Sequence, residues 1–249
     1  MDAARRAGVG HVVKQSVPWA GADAPVVVSR WHGQIEESLT ASGLPAVILR
    51  PGFFMSNLLT SAEQVRRDGK LSAPAGTARI AMIDPRDVAA VAVTTLTTPG
   101  AGGEADVLTG PEALNYEQIA HQLSVVTGRP IEFVTVSDEA ARHGMAEAGT
   151  PTWLVELFGM FRAGAAARTT GAVRAVTGRE PRTFAHDHVA AVCVVHRIAS
   201  FDKVGPACGT RRSGSIAESA VNARQPDTVR GWIRCVTRSP PVPGSGRPS

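Results

Sequence analysis

The chain has 249 residues, of which 43% are hydrophobic and 19% charged, and a formal net charge of +4. This length and composition are typical of a globular protein with a sizeable core. No apolar run approaches the ~18 residues of a membrane-spanning helix. The first residues, MDAARRAGVG, lack the apolar stretch of a signal peptide. We therefore expect a cytoplasmic protein that does not enter a membrane.

The positive charge is confined to the C-terminal end of the sequence. Residues 1–195 contain 17 Lys+Arg and 19 Asp+Glu, whereas residues 196–249 contain 9 and 3. The C-terminal basic residues are scattered among Gly, Ser and Pro, so they do not indicate a nucleic-acid-binding face. We predict a folded body over residues 1–195 and a disordered tail over 196–249, with a basic binding arm as the alternative. Cys193, Cys208 and Cys235 match no zinc-binding spacing, so no metal site is predicted.

Helical and extended patterns alternate along the body. His11–Ser16 is predicted to be a short strand, Ser29–Gly43 a helix capped by Ser29, and Pro45–Arg50 a second strand. The later predicted elements are a helix over 56–69, an extended segment over 78–83, a helix from the Asp84 cap through Pro85 to 98, a strand over 105–110, a helix over 115–128, a strand over 130–136, and helices over 137–148, 152–167 and 171–178. This order predicts an α/β fold with a mostly parallel sheet and helices on both faces.

Two predicted strands end in residues that suit a ligand site. Ligands of parallel α/β sheets bind at the carboxyl ends of the strands. Ser16 ends one strand, and Gly52, Phe53 and Phe54 follow the other. The competing interpretation is structural, because Arg-Pro-Gly ends many strands and paired phenylalanines usually belong to a core.

The helix between these strands carries His32 and Glu36, which lie one turn apart on the same face. His32 could act as a proton donor, or it could be a surface histidine paired with Glu36. Lys14 lies inside the first strand and is not predicted to be a site residue. Trp153, Leu154, Leu157 and Phe161 share one helix face and either line a substrate pocket or belong to the core.

Several segments together resemble one protein family. They are AARRAGVGHVVKQS, HGQIEESLTASGLPAVILRPGFFMSNL, IDPRDVAAVAV, LTGPEALNYEQIAHQLSVVTGRPIEFVTV and RTFAHDHVAA. In order and spacing they resemble the NmrA-like family of atypical short-chain dehydrogenases/reductases. The resemblance implies an extended Rossmann domain with a small α/β substrate lobe and an NAD(P) cofactor, with NADP favoured. It also implies either an NAD(P)H-dependent reductase of quinones and other small molecules, or a nucleotide-sensing regulator.

The resemblance also assigns roles to individual residues. It places Ser16 opposite the nicotinamide, and the Gly52–Phe54 loop against the carboxamide end of the cofactor. Val28 and His32 occupy the positions of the Tyr and Lys that the wider superfamily uses for proton transfer. Because valine cannot transfer a proton, His32 is left as the candidate catalytic residue.

The glycine-rich fingerprint of the family is missing from the sequence. Gly8–Gly10 precedes a strand, and Gly100–Gly103 lies between a helix and a strand, so neither opens a helix after a strand. We therefore expect an N-terminally truncated chain that is inactive alone and binds NAD(P) weakly. We also expect it to self-associate through an exposed sheet edge.

Overall fold

The computed structural model describes residues 1–98 and 106–185, which belong to one compact unit of the chain. The predicted boundary at residue 195, the predicted tail, all three cysteines and Gly100–Gly103 lie outside these residues.

A parallel three-stranded sheet forms the first part of the fold. It consists of β1 (Val12–Gln15), β2 (Ala46–Pro51) and β4 (Asp106–Leu108), in the order β1-β2-β4. Because side chains alternate along a strand, Val47 and Leu49 face α4 (Pro85–Thr97), while Ile48 and Arg50 face α2 (Val27–Ala41). The sheet is therefore covered by helices on both faces, as predicted.

A second, smaller sheet pairs β3 (Lys70–Ala73) with β5 (Glu132–Thr135), again in parallel. Its strands and the helices around them form the lobe that the resemblance implied. The remaining helical segments are α1 (Asp2–Arg6), a 3-10 helix (Met55–Ser61), α3 (Ala62–Asp68), α5 (Tyr116–Thr127), α6 (Asp138–Glu147), α7 (Leu154–Arg162) and α8 (Ala172–Thr177).

Helix ends follow local chemistry at most positions. Asp84 caps α4 by accepting from the Arg86 N–H at 2.8 Å, and Pro85 is the first helical residue. Gly69 and Gly128 end their helices in the left-handed conformation. The predicted Ser29 cap is wrong, because α2 begins two residues earlier, after the buried Val26.

Two further differences concern strands. Residues 70–73, to which the sequence assigned no element, form β3, whose partner β5 begins 62 residues after β3 does. The segment Ala78–Ile83, predicted to be extended, forms isolated bridges at Ile80 and Ile83 and is not a strand of either sheet. Leu71 and Ala73 of β3 are buried, and Met82 and Ile83 bond the backbone of Gly110, Phe53 and Met55.

Hydrophobic packing is divided between the two sheets. One cluster lies between the first sheet, α4 and α8, and a larger one lies among α5, α7, the 3-10 helix and the second sheet. In the described part of the chain, the longest helix has 15 residues, and none is both long and apolar enough to cross a membrane.

Candidate functional site

A cavity of about 210 Å³ opens at the carboxyl ends of β1 and β2. Ser16, His32, Gly52, Phe53 and Phe54 all line it, so the structure brings together every residue that the sequence singled out for a site. They come from two strand ends and one helix. Residues of α7 close the opposite wall.

The loop after β2 is held in place by its backbone. The Gly52 N–H donates to the Leu108 carbonyl at 2.8 Å, and the Phe53 carbonyl accepts from the Ile83 N–H at 2.9 Å. A side chain at position 52 would place its Cβ 3.2 Å from the Ala81 carbonyl oxygen, closer than an ordinary contact. This glycine lets the loop pass close to the segment behind it, and Phe53 then projects into the cavity.

Aromatic side chains form the apolar wall of the cavity. Phe53 packs edge-on against Phe161, with ring centroids 5.5 Å apart and planes at 77°, and against Phe158 at 6.1 Å. Trp153, Leu154 and Leu157 line the same wall together with Phe161. Trp153, at the start of α7, and the three α7 residues therefore face the cavity, and Phe161 is also part of the buried core.

Glu36 anchors the polar end of the site. This buried carboxylate accepts a hydrogen bond from the Ser16 hydroxyl and forms an ion pair with Arg50, with Arg50 Nη2 2.5 Å from Glu36 Oε2. Burial tends to raise the pKa of Glu36, but hydrogen bonds from Arg50 and Ser16 and the nearby positive charges lower it overall. Glu36 is therefore ionised and bound by Ser16 and Arg50, and the surface pair with His32, one of the two interpretations of His32, does not form.

His32 instead contacts Lys14. The Nζ atom of Lys14 lies 2.9 Å from Nδ1 of His32, and the Ser16 hydroxyl oxygen lies 3.4 Å from the same nitrogen. Burial and the Lys14 charge lower the pKa of His32, against a smaller opposing effect of Glu36. Lys14, which the sequence did not single out for a site, thus contacts a residue that lines the cavity. Strand alternation could have identified it, because Lys14 lies two residues before Ser16 and so on the same face of β1.

The loop from Val17 to Val26 contributes its first three residues to one side of the cavity. Within it, Trp19 has φ = 57°, a left-handed conformation that costs a non-glycine residue about 1–2 kcal/mol. Its ring packs near Phe161, with centroids 6.4 Å apart, and this contact helps offset the strain. Trp19 and Phe53 also line an adjoining cavity of about 330 Å³ that includes Arg50 and Arg168.

These features define a class of protein. A parallel sheet covered on both faces, with its cavity at the strand ends, belongs to the Rossmann-type α/β folds. Within that class, the chain belongs to the NmrA-like family, which matches residues 1–182.

Two similar proteins are named as reductases. The chain is 39% identical over 189 residues to the NAD(P)H azoreductase of Xenophilus azovorans, covering 74% of this chain and 66% of the relative. It is 40% identical over 187 residues to the (4-alkanoyl-5-oxo-2,5-dihydrofuran-3-yl)methyl phosphate reductase of Streptomyces griseus, covering 73% and 66%. The chain therefore spans 66% of the length of these two relatives.

Solved structures share the fold. The NADPH-dependent quinone oxidoreductase of Escherichia coli has a TM-score of 0.68 at 24% identity, over 78% of this chain and 70% of that chain. The triphenylmethane reductase of Citrobacter in complex with NADP(H) has a TM-score of 0.66 at 20% identity, over 78% and 68%.

Proposed function

We propose that the cavity is the nicotinamide and substrate site of an NAD(P)H-dependent reductase of flat, conjugated small molecules. The single observation that carries this proposal is the convergence of Ser16, His32 and the Gly52–Phe54 loop on one cavity with an aromatic wall. The names of the relatives, an NAD(P)H azoreductase and a quinone oxidoreductase, support the same class of reaction.

The residues fit one end of the cofactor. A cavity of about 210 Å³ is smaller than the ~300–1,000 Å³ of sites that enclose drug-sized ligands, so it suits a ring rather than a whole dinucleotide. Ser16 and the loop at Gly52 would hold the nicotinamide end. When bound, the reduced nicotinamide supplies a hydride to the acceptor.

The pyrophosphate end of the cofactor has no counterpart among the described residues. Gly8 and Gly10 lie between α1 and β1, where they do not open a helix after a strand. The backbone N–H groups that hold a pyrophosphate at a helix N-terminus are therefore not available there. We infer that this chain alone binds the nicotinamide part of the cofactor and that the rest of the dinucleotide adds little to the affinity.

The chain's own residues would perform three tasks in the reaction. Phe53 and Leu157 exclude water from the cavity and press a flat ring into place. The adjoining cavity shares Trp19 with this one, and it would hold substituents of the acceptor that extend past Trp19. His32 donates the proton that the reduced acceptor requires, because it is the titratable side chain among the residues that line this cavity. Within residues 1–98 and 106–185, we find no feature that favours the regulatory alternative.

A small cofactor fragment tests this proposal on the chain as it exists. The missing glycine fingerprint led to the expectation of a chain that is inactive alone, but reduced nicotinamide mononucleotide needs no pyrophosphate site. We therefore expect the chain to accelerate oxidation of this fragment by menadione, followed at 340 nm. Leu157→Arg should abolish the acceleration by filling the cavity. Leu96→Arg is the matched control, because Leu96 is 58% exposed on α4 and away from the cavity.

Circular dichroism would confirm that both variants are folded. The proposal fails if folded wild-type chain gives only the uncatalysed rate, or if the two arginine variants behave alike.

A further inference from the structure

The hydrogen bonds of Ser16 and Lys14 determine which nitrogen of His32 carries the proton. The single proton of the Ser16 hydroxyl is donated to Glu36, so Ser16 has none to donate to His32. The Lys14 ammonium can only donate, and it lies 2.9 Å from Nδ1. Nδ1 must therefore accept, which leaves the proton of a neutral imidazole on Nε2.

We infer that Lys14 is a positioning residue that fixes His32 in the Nε2–H tautomer and holds the proton that replaces the one His32 donates. The tautomer follows from this chain's own contacts. The role in turnover rests on the proposed reductase function.

The proton transfers balance only if Lys14 takes part. The reduced acceptor is an anion, and the Nε2–H bond of His32 breaks as an O–H or N–H bond forms on it. A neutral imidazole would be left as an unstable anion unless Nδ1 gained a proton at the same time. The Nζ–H bond of Lys14 breaks as the Nδ1–H bond forms, and the neutral Lys14 amine then takes a proton from water. Lys14 is only half-buried, so water can reach it.

The surrounding charges favour this role. The groups that face the Lys14–His32 pair are Glu36 on α2 and Arg50 on β2. Arg50 already neutralises Glu36, so the carboxylate does not draw Lys14 away from His32. Burial lowers the pKa of Lys14, Glu36 opposes that shift, and Arg50 adds to it. A lysine with a lowered pKa releases its proton more readily than an exposed one.

The tautomer can be measured without any cofactor. Two-bond ¹H–¹⁵N correlation spectra distinguish the two tautomers and the imidazolium, and a His32→Gln spectrum identifies the His32 signals among the 7 histidines. We expect wild-type His32 to be the neutral Nε2–H form at pH 7. In Lys14→Met, the tautomers should mix and the His32 pKa should rise, because Glu36 remains and the positive neighbour is lost. Lys70→Met is the matched control, because Lys70 is an exposed lysine on a strand of the other sheet, and it should leave His32 unchanged.

Lys14→Arg separates the two parts of the inference. Arginine keeps the donor and the charge but does not release a proton in the working pH range. We expect it to preserve the Nε2–H signal yet to lower the rate of menadione reduction by ~100-fold, a typical effect of losing proton donation. The wild-type rate should also fall as pH rises through the Lys14 pKa, whereas the residual rate of Lys14→Arg should show no such fall.

Two results would overturn the inference. One is a spectrum in which wild-type His32 is the imidazolium or the Nδ1–H form, or in which Lys14→Met leaves the His32 signals unchanged. The other is a Lys14→Arg variant that reduces menadione as fast as the wild type. If the wild type does not turn over at all, the proposed function fails, while the spectra still decide the tautomer.

Discussion

Gly33→Ala is expected to loosen the loop from Val17 to Val26. Gly33 is buried in α2, and an added Cβ would lie 2.5, 2.6 and 2.7 Å from three backbone atoms of Gly21. Carbon contacts normally lie at ~3.5–4.0 Å, so the loop would have to retreat by about 1 Å. Overpacking of this kind costs up to about 3 kcal/mol, and alanine regains about 1 kcal/mol through helix propensity. The expected net loss is about 2 kcal/mol.

Gly144→Ala provides the matched control for this change. Gly144 also lies inside a helix, α6, but its added Cβ would meet nothing within 4 Å. That variant should therefore gain up to about 1 kcal/mol. Urea unfolding followed by tryptophan fluorescence would measure both changes in the free energy of unfolding. Equal effects of the two substitutions would refute the close packing of Gly21 on Gly33.

Further predictions concern the Glu36–Arg50 pair, the outer edge of β1 and the affinity for NADPH. Glu36→Gln should lower stability at pH 7 by about 2 kcal/mol, less than the ~3–5 kcal/mol for a fully buried pair, because the Arg50 side chain is 29% exposed. Because the Glu36 pKa is lowered by folding, its contribution is present above the ordinary carboxyl pKa and is lost as the pH falls through the folded value. The unfolding temperatures of the wild type and Glu36→Gln should therefore converge as the pH is lowered from 7 to 3, and a difference that stays constant with pH would contradict this. The chain should self-associate through the outer edge of β1. The Val12 and Ser16 N–H groups bond towards β2 while the Val13 N–H points away, so Val13→Pro should reduce the self-association measured by sedimentation velocity. A wild type that stays monomeric at all concentrations would count against this prediction. Calorimetry should find NADPH binding no more than a few-fold tighter than reduced nicotinamide mononucleotide, and low-micromolar binding of NADPH alone would show that a pyrophosphate site exists.

Most of the fold could be predicted from local signals. The Asp84–Pro85 pair determined the start of α4, and the glycines after α3 and α5 determined where those helices end. Strand β3 was missed because four residues carry little periodicity of their own. Its stability comes from pairing with β5 and from packing on the core around Leu71.

The sequence named residues that the fold brings to one cavity, but it did not give the hydrogen bonds among them. Ser16, His32 and Gly52 were identified from strand ends and helix spacing. Which of them pair depends on the register of β1 against β2, which sets Lys14 opposite Ile48 and brings Arg50 within reach of Glu36. No local pattern contains that register, so the sequence suggested a His32–Glu36 pair where the structure has Lys14–His32 and Glu36–Arg50.

Backbone amide mapping tests the central claim most directly. Reduced nicotinamide mononucleotide would be titrated into ¹⁵N-labelled chain, and the amide shifts followed to saturation. Binding in the cavity predicts that the largest shifts occur at Ser16, Gly52 and Phe53, with the signals of β3 and β5 unchanged. Shifts that map to another surface, or no shifts at saturating ligand, would contradict the assignment of this cavity as the nicotinamide site.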